Sequence, residues 1–441
     1  MSLTPPTTVQ KLQAALQAKA KGQPSYRFYA LYDKVYRLDV LVHAYELSRA
    51  NRGAAGVDGQ TFEAIEASGR NGWLSDLAVE LKEKTYRPQA VRRVWIPKPN
   101  GKQRPLGIPT VRDRVVQQAL LLVIGPIFEA DLPPEQYAYR PNRSALDAVQ
   151  AVHRLVNTGH TEVVDADLSG YFDSIPHAAL LKSVARRISD GAVLRLLKMW
   201  LEAPVEERDE RDRPRRTTRN RDERRGTPQG APISPLLSNL YMRRFVLGWK
   251  TLGFEARLDA HLVNYADDFV ICCRGTAADA DRAMRQVMER IGLRVNEEKT
   301  RIRRLPEEPV DFLGYTLGRC YSPRTGRAYL GTRPAKTRVQ RLCQAVSELT
   351  RRDTLWRNAR DLVADLNRRL RGWANYFCLG PVSRAYRAVD AHVTTRLRQW
   401  LRHKHKTRGR GTTRYPDEYL YDELGLIRLP DLTSSLPWAN A

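Results

Sequence analysis

Two adjacent carboxylates, Asp267 and Asp268, lie inside an otherwise apolar stretch of the chain, VNYADDFVICC. Neighbouring carboxylates repel each other and are costly to remove from water, so between buried strands they require a cation. A divalent metal is the natural partner. The alternative is a hairpin turn whose two aspartates are simply exposed to water, because a four-residue pattern of this kind also arises by chance.

A second acidic segment, VVDADLSGYFD, lies one hundred residues upstream and offers Asp165, Asp167 and Asp173. If both segments are neighbouring strands of one sheet, Asp167 and Asp267 can converge at the strand ends and hold two Mg²⁺ ions. Two ions about 4 Å apart can activate a 3′-hydroxyl and stabilise a departing pyrophosphate, which is the chemistry of nucleotidyl transfer. Alternation along a strand puts Asp165 and Asp167 on one face and does not separate them, whereas Asp173 lies in a predicted turn or helix start.

The elements around these carboxylates are predicted from short β-branched runs that alternate with helical periods between about residues 50 and 318. This pattern is typical of an α/β or α+β fold. Strands are predicted within 161–168 and 261–273. A β-hairpin is predicted with strands at 91–97 and 103–108 and the segment KPNGK as the turn between them. The mixed-charge stretch 206–225 is expected to form a solvated hairpin or loop.

The pattern becomes helical after residue 331. Two series of apolar residues recur there at spacings of three and four: Leu362, Leu366, Leu370, Trp373 and Phe377, then Tyr386, Val389, Val393, Leu397 and Trp400. The other faces of these helices are rich in arginine. Solvated arginines and phosphate-binding arginines both fit this pattern, but the scarcity of compensating glutamate favours phosphate binding.

Composition bounds the class of protein. The 441 residues include 74 Lys and Arg against 49 Asp and Glu, a net charge of +25, which predicts two or three domains and a nucleic-acid partner. From residue 331 onward there are 22 basic and 10 acidic residues, so this part carries +12 of the +25. The longest apolar run, 119–128, is about half of what a bilayer span needs, and the first residues do not resemble a secretory signal. We therefore expect a cytoplasmic protein without a membrane span.

Five cysteines are present, and none forms a Cys-x-x-Cys pair. This spacing argues against a disulfide framework and against a zinc site.

Nine segments, in order, resemble motifs of the reverse transcriptases and maturases that bacterial group II introns encode. They are GVDG at 56–59, IPKPNGKQRPLGIP at 96–109, YRPNRSA at 139–145, DLSGYFD at 167–173, GTPQGAPISPLLSN at 226–239, YADD at 265–268, NEEKT at 296–300, FLGY at 312–315 and LNRRLRGWANYF at 366–377. The resemblance covers nearly the whole chain.

The resemblance implies an α+β right-hand polymerase, with fingers and a palm built on a ferredoxin-like antiparallel sheet, followed by an all-α thumb. The implied division is a helical N-terminal extension at 1–50, fingers and palm at 51–320, a thumb or maturase domain at 331–402 and a short basic appendix at 403–441 that could contact DNA.

Site residues follow from the same resemblance. Asp167, Asp267 and Asp268 match the catalytic metal-binding triad, and the backbone carbonyl of Leu168 matches a further metal ligand. The implied cofactor is two Mg²⁺ ions, with Mn²⁺ as a tolerated substitute. The positions that match nucleotide-binding residues are Lys98, Arg104, Phe172, Gln229, Gly230 and Lys299. For Lys299, a triphosphate contact and a surface salt bridge are both open. The bulky ring of Phe172 is expected to exclude a ribose 2′-hydroxyl.

RNA contacts are expected from basic residues of the helices and tail: Arg368, Arg369, Arg371, Arg396, Arg398, Lys404 and Lys406. Two departures from the family pattern bear on function. Ser169 replaces a lysine that usually follows the metal-binding aspartate by two residues, and the tail lacks the paired cysteines and histidines of an HNH endonuclease. We therefore expect no DNA-cleaving domain.

The resemblance implies an RNA-directed DNA polymerase that adds dNTPs to a primer 3′-hydroxyl and binds group II intron RNA to assist splicing and mobility. Its partners would be intron RNA, an RNA template with a DNA primer, target DNA and dNTPs. Two alternatives remain: an RNA-binding splicing cofactor whose polymerase is incidental, or a related reverse transcriptase recruited to host repair or defence.

Overall fold

The structure is a computed structural model that describes residues 3–97, 101, 103–209, 211, 213–322, 324–409 and 411–435, and side chains as far as residue 433. Its α-helices are α1 (Thr7–Gly22), α2 (Tyr32–Val35), α3 (Leu38–Ala50), α4 (Phe62–Ser68), α5 (Arg70–Lys82), α6 (Val111–Glu129), α7 (Ala145–Asn157), α8 (Tyr171–Ser174), α9 (His177–Ala185), α10 (Gly191–Leu201), α11 (Arg219–Asp222), α12 (Ser234–Thr251), α13 (Phe254–Leu258), α14 (Ala277–Arg290), α15 (Lys336–Leu349), α16 (Ala359–Tyr376) and α17 (Ser383–Lys404).

The strands are β1 (Val91–Pro97), β2 (Gln103–Ile108), β3 (Glu162–Ala166), β4 (Val205–Arg208), β5 (Pro214–Thr217), β6 (Ala260–Tyr265), β7 (Asp268–Cys273), β8 (Arg301–Arg304), β9 (Val310–Phe312), β10 (Tyr315–Tyr321) and β11 (Ala328–Pro334). Short 3-10 turns cover Arg352–Thr354 and Leu429–Ser435, and one π-helical turn covers Tyr419–Glu423.

These strands form three sheets in the described part of the chain. The central sheet has the order β6-β7-β3-β8 and is antiparallel throughout. A second sheet, β2-β1-β4-β5, contains the predicted hairpin β1–β2, and a third has the order β11-β10-β9. The mixed-charge stretch 206–225 supplies most of the hairpin β4–β5, and β4 pairs in parallel with β1. The hairpin predicted there is therefore confirmed, and it extends the second sheet.

Both faces of the central sheet are covered, and consecutive residues of β3 alternate between them as the pleat requires. Val164 and Ala166 belong to the largest core, in which α6, α12 and α14 pack with the N-terminal helices. Val163 belongs to a separate core with α7 and strands β9 and β10. A capping box at Ser144, whose hydroxyl accepts from the amide of Asp147, begins α7. This alternation therefore determines on which face of the central sheet each acidic residue of β3 lies.

A third core joins the C-terminal helices. The two apolar series predicted for this region lie on α16 and α17 and pack with α15, except Phe377, which follows α16 and belongs to the core that contains β9 and β10. Tyr415, Leu420, Leu426 and Leu429 are buried in the same core. The boundary expected between residues 402 and 403 is therefore not a break in packing, because the tail covers the bundle.

None of the described helices combines the length and the apolar character that crossing a bilayer requires.

Candidate active site

The YADD segment forms the turn of the β6–β7 hairpin. Tyr265 pairs with Asp268 in register, which leaves Ala266 and Asp267 as the two turn residues. Ala266 has a φ of 60°, a left-handed conformation that favours glycine, and its carbonyl accepts a 2.8 Å hydrogen bond from the buried side-chain amide of Asn264. Two carboxylates are thus held at one end of the central sheet.

Asp167 lies beside this turn because β3 is the direct neighbour of β7. Ala166 pairs with Phe269, so the register, continued by one residue, places Asp167 opposite Asp268. Asp165, Asp167 and Asp268 fall on the same face of the sheet by strand alternation. The convergence of Asp167 with the YADD turn, on which the sequence interpretation depends, is present in the fold.

Three residues that follow α14 hold Asp167 in place. The amide of Asn296 donates to the Asp167 carbonyl at 2.8 Å, and its side-chain Nδ2 donates to Asp167 Oδ2 at 3.0 Å. Lys299 Nζ lies 3.0 Å from the same Oδ2. The Asp167 amide in turn donates to Thr300 Oγ1. Leu168 forms an isolated bridge with Val295. The NEEKT segment therefore positions the first carboxylate.

The crowding of carboxylates shows in their acidity. Solvent reaches Asp268, yet the protein atoms of the cleft remove much of its hydration, and Asp267 and Asp167 repel its charge; together these raise its pKa to about 6. Burial, with Asp167 and Asp311, also raises the pKa of Asp165 to about 6, against the opposing effect of Arg303. Carboxylates that resist ionisation next to one another favour a hard divalent cation, so this donor set fits Mg²⁺.

The predicted ligands Asp167, Asp267 and Asp268 are spread apart. In the part of the chain that the structure describes, their carboxylate oxygens do not all lie within 4.8 Å of one another. Asp167 is engaged by Asn296 and Lys299 instead.

The two competing aspartates differ in position, since Asp165 shares a cavity with Asp167 and Asp173 does not. Asp165 is two residues further from the strand end, in a cavity of about 520 Å³ that Asp167, Asp268 and Lys299 also line. Asp173 lies in the short helix α8, where burial raises its pKa and the charges of Arg93 and Arg219 oppose that rise. Asp173 is therefore on the side of the β1–β2 hairpin.

A second cavity, also of about 520 Å³, collects the predicted nucleotide-binding residues Arg104, Phe172, Gln229 and Gly230. Lys299 is not among its lining residues and pairs with Asp167, so the salt-bridge alternative is the one that the structure contains. Lys98, the remaining predicted nucleotide contact, lies outside the described residues.

Gly230 is where the β1–β2 sheet approaches the loop that precedes α12. Its φ is 110°, and a Cβ there would lie 2.7 Å from the Gly107 carbonyl oxygen. The Gly107 amide donates to the Gln229 carbonyl at 2.6 Å, and the Thr227 amide donates to the Phe172 carbonyl at 2.8 Å. Only glycine permits this close approach, which holds the cavity wall together.

Two residues of this cavity were missed by the sequence interpretation as site residues. Tyr139 is 55% exposed with a φ of 56°, and its pKa is raised by loss of hydration and then by the charge of Asp267. Arg114 lines the same cavity from α6. Tyr139 begins the YRPNRSA motif, so the motif was a detectable signal, whereas α6 carries no such motif at Arg114.

The predicted RNA-binding residues divide into two groups. Arg368, Arg369 and Arg371 are exposed along α16, and Lys406 is exposed after α17. The other three are half-buried and use donors inside the bundle, so their contact with RNA stays a prediction. Arg396 donates to the carbonyls of Ser347 and Thr350, Arg398 donates to the Tyr415 carbonyl, and Lys404 donates to the carbonyls of Leu355 and Arg357.

An antiparallel sheet with acidic residues at the ends of adjacent strands, a nucleotide-sized cavity under a β-hairpin and a following helical bundle define a polymerase of the right-hand type. Comparison with known families agrees. Residues 96–317 match the family model "Reverse transcriptase (RNA-dependent DNA polymerase)", and residues 339–416 match "Group II intron, maturase-specific domain". The chain belongs to the reverse transcriptase family, within its group II intron-encoded members.

Two curated relatives support this placement. Protein YkfC of Escherichia coli is 34% identical over 346 residues, which cover 70% of this chain and 88% of that protein. The group II intron-encoded protein LtrA of Lactococcus lactis is 27% identical over 354 residues, which cover 66% of this chain and 57% of that protein. The protein is thus an RNA-directed DNA polymerase that carries a group II intron maturase-specific domain.

Proposed function

We propose that Asp167, Asp267 and Asp268, with the backbone carbonyl of Leu168, hold two Mg²⁺ ions and that this centre extends a DNA primer on an RNA template. The observation that carries the proposal is the pairing of β3 with β7, which puts Asp167 opposite Asp268. The raised pKa of Asp268 supports it, because the excess of negative charge at this sheet end favours cations. Mn²⁺ satisfies the same oxygen ligands and is expected to substitute.

When bound, the ions would lower the pKa of the primer 3′-hydroxyl and stabilise charge on the leaving pyrophosphate. The chain's own contribution is to position the reactants. Arg104 offers a planar guanidinium to the triphosphate of the incoming dNTP. Gly230 lets the backbone approach the templating pair, with Gln229 beside it. Phe172, half-buried in the same cavity, presents a ring that limits the space beside the sugar.

We further propose that the exposed arginines of α16, Arg368, Arg369 and Arg371, contact group II intron RNA together with Lys406. Support comes from their exposure and from the match of residues 339–416 to the maturase-specific domain. Target DNA would bind the remaining basic surface. We retain the division at 1–50, 51–320, 331–402 and 403–441 as working units, with the last packed on the third. We also place this function in the cytoplasm, since all five cysteines are free.

Primer extension with dNTPs and Mg²⁺ on an RNA template tests the metal centre. Asp167→Asn, Asp267→Asn and Asp268→Asn should each reduce extension by several orders of magnitude. Asp173→Asn is the matched control. Asp173 belongs to the same motif but lies on the side of the β1–β2 hairpin, so this variant should retain extension. If Asp173→Asn abolished extension while Asp167→Asn did not, the ligand assignment would be wrong.

Splicing separates the two activities. The doubly substituted Asp267→Asn, Asp268→Asn protein should still promote splicing of its cognate intron, because folding of RNA requires the basic surface and not the carboxylates. Loss of splicing with retained RNA affinity would show that the two sites depend on each other.

A further inference from the structure

A group of side chains at the opposite end of the central sheet has no role in polymerisation. His160 precedes β3, His261 lies in β6, and Asp259 ends α13. Their donor atoms all lie within 4.8 Å of one another, and they are the one such group among the described residues. His261 pairs with Cys272, which is four residues along β7 from Asp268, or roughly 13 Å at the usual rise per residue.

Contacts on both nitrogens orient the ring of His160. His160 Nδ1 lies 3.2 Å from the carbonyl oxygen of Leu155, which can only accept, and 3.3 Å from the Thr158 hydroxyl. A ring that donates from Nδ1 to Leu155 turns its Nε2 toward Asp259. That Nε2 lies 3.1 Å from Asp259 Oδ1, a contact that a proton on Nε2 or a shared cation would satisfy. His160 is only 6% exposed, whereas the side chain of Asp259 is 49% exposed and open to an ion from solvent.

His261 repeats the same arrangement from the other side. Its Nδ1 lies 3.3 Å from Glu255 Oε1, a proton acceptor, and its Nε2 lies 3.4 Å from the same Asp259 Oδ1. Two imidazole nitrogens and one carboxylate oxygen thus converge, which is a donor set for a cation when neither Nε2 carries a proton. The guanidinium of Arg274 leaves Oδ1 free for this role, because its Nε lies 3.7 Å from the other oxygen, Oδ2.

We propose that His160 Nε2, His261 Nε2 and Asp259 Oδ1 bind a divalent transition-metal ion of the zinc type, with water at the remaining position. Two ligands each about 2.05 Å from a tetrahedral ion are about 3.3 Å apart, and the two measured nitrogen to oxygen distances lie on either side of that value. The outer contacts also fit, since metal-binding histidines usually donate their second N–H to a backbone carbonyl or a carboxylate. Leu155 and Glu255 fill these two positions here.

Bound there, the ion would join three segments that are distant in the chain: the α7–β3 connection, the end of α13 and the start of β6. The cysteine pattern could not indicate this site, because its ligands are histidine and aspartate. The ion would have a structural role, since the site is remote from the YADD turn.

Titration of the full-length protein with ZnCl₂, in millimolar Mg²⁺ to occupy the carboxylate centre, tests the proposal by calorimetry. The wild type should bind one equivalent that the His261→Gln variant does not bind. The double variant His403→Gln, His405→Gln removes the exposed histidines of the tail and should keep that equivalent. Co²⁺ should give a visible absorption spectrum typical of low coordination number, which His261→Gln should lack.

Glu255→Gln tests the orienting contact. It should weaken zinc binding roughly 10–100-fold, as loss of an outer carboxylate does elsewhere, whereas Asp279→Asn on the exposed face of α14 should not. Circular dichroism would verify that each variant is folded. Equal zinc uptake by wild type and His261→Gln, or no uptake by the wild type, would overturn the proposal, and primer extension need not change in either case.

Discussion

Lys299 Nζ lies 3.0 Å from Oδ2 of Asp167, so a lysine of the chain neutralises part of the charge of a proposed metal ligand. Its charge also opposes the rise in the pKa of Asp268. Lys299 is thus a counter-ion of the acidic centre and would compete there with a metal ion.

Replacement of Lys299 should therefore lower the Mg²⁺ concentration needed for half-maximal extension. A partly exposed ion pair contributes about 0.2–1 kcal/mol, so we expect a shift of up to about 5-fold for Lys299→Ala. Titration of the extension rate against Mg²⁺ measures this shift. Lys198→Ala, which removes another ion-paired lysine, is the control. A higher Mg²⁺ requirement in Lys299→Ala would contradict this role. A separate fall in the maximal rate would instead report a contact with the triphosphate.

The ring of Phe172 should decide between deoxyribonucleotides and ribonucleotides. Phe172→Ala removes the bulk next to the sugar, and we expect incorporation of rNTPs relative to dNTPs to rise by about 10–200-fold, the range that one steric group in a pocket typically controls. Phe172→Tyr keeps the ring and should keep the discrimination. Single-nucleotide extension with each substrate measures the ratio. Unchanged selectivity in Phe172→Ala would place the sugar elsewhere.

Gly230 offers a test of the cavity wall. Gly230→Ala must place a methyl group 2.7 Å from the Gly107 carbonyl oxygen at a φ of 110°. We expect a loss of about 1–3 kcal/mol in the free energy of unfolding and a strong loss of extension. Gly372→Ala on α16 meets no atom within 4 Å and should instead stabilise the helix by about 0.5–1 kcal/mol. Urea unfolding of both variants compares their free energies of unfolding. Equal changes would show that the contact with Gly107 does not determine the effect of Gly230→Ala.

The prediction from sequence succeeded where a pattern and its physical cause are local. Alternating β-branched residues predicted the strands at β3, β6 and β7, and the Asn-Gly in KPNGK indicated the β1–β2 hairpin. What the sequence could not predict depends on the tertiary neighbours of a side chain. Arg396 has the helical spacing of a surface arginine, but in the fold its guanidinium donates to carbonyl groups at the end of α15. The tail around Leu420 and Leu426 lacks any period, so its burial could not be predicted.

Buried histidines should make the protein less stable in mild acid. His43 is 1% exposed, neither of its ring nitrogens has a hydrogen-bond partner, and burial lowers its pKa. The unfolded ring takes up a proton near pH 6.5 while the folded ring stays neutral. The unfolded state therefore binds more protons below about pH 6.5, and the free energy of unfolding falls there by up to about 1.4 kcal/mol per pH unit for this residue.

His43→Leu should flatten that dependence between about pH 7 and pH 5, since leucine cannot bind the proton. Urea unfolding at several pH values measures the slope. His403→Leu is the control, because its side chain is already in water. A slope in His43→Leu identical to that of the wild type would show that other groups govern acid stability, among them His177, whose pKa burial also lowers.

The two groups of basic residues in the helical bundle should separate RNA binding from stability. Arg368 is 78% exposed and Arg369 and Arg371 lie near it on α16, so a triple replacement by Gln should weaken binding of structured RNA. For every phosphate that an arginine no longer neutralises, the slope of log affinity against log salt should decrease by about 0.7–0.9. The melting temperature should change little.

Arg396→Gln is the opposite case, because its guanidinium joins α17 to the carbonyl groups at the end of α15. It should leave the salt slope of RNA binding unchanged and lower the melting temperature, since two partly buried carbonyl groups lose a charged donor. Filter binding at several salt concentrations and thermal unfolding measure the two quantities on the same preparations. If Arg396→Gln reduced the salt slope as much as a substitution on α16, its guanidinium would have to leave the bundle when RNA binds, and the RNA-contacting surface would extend across α17.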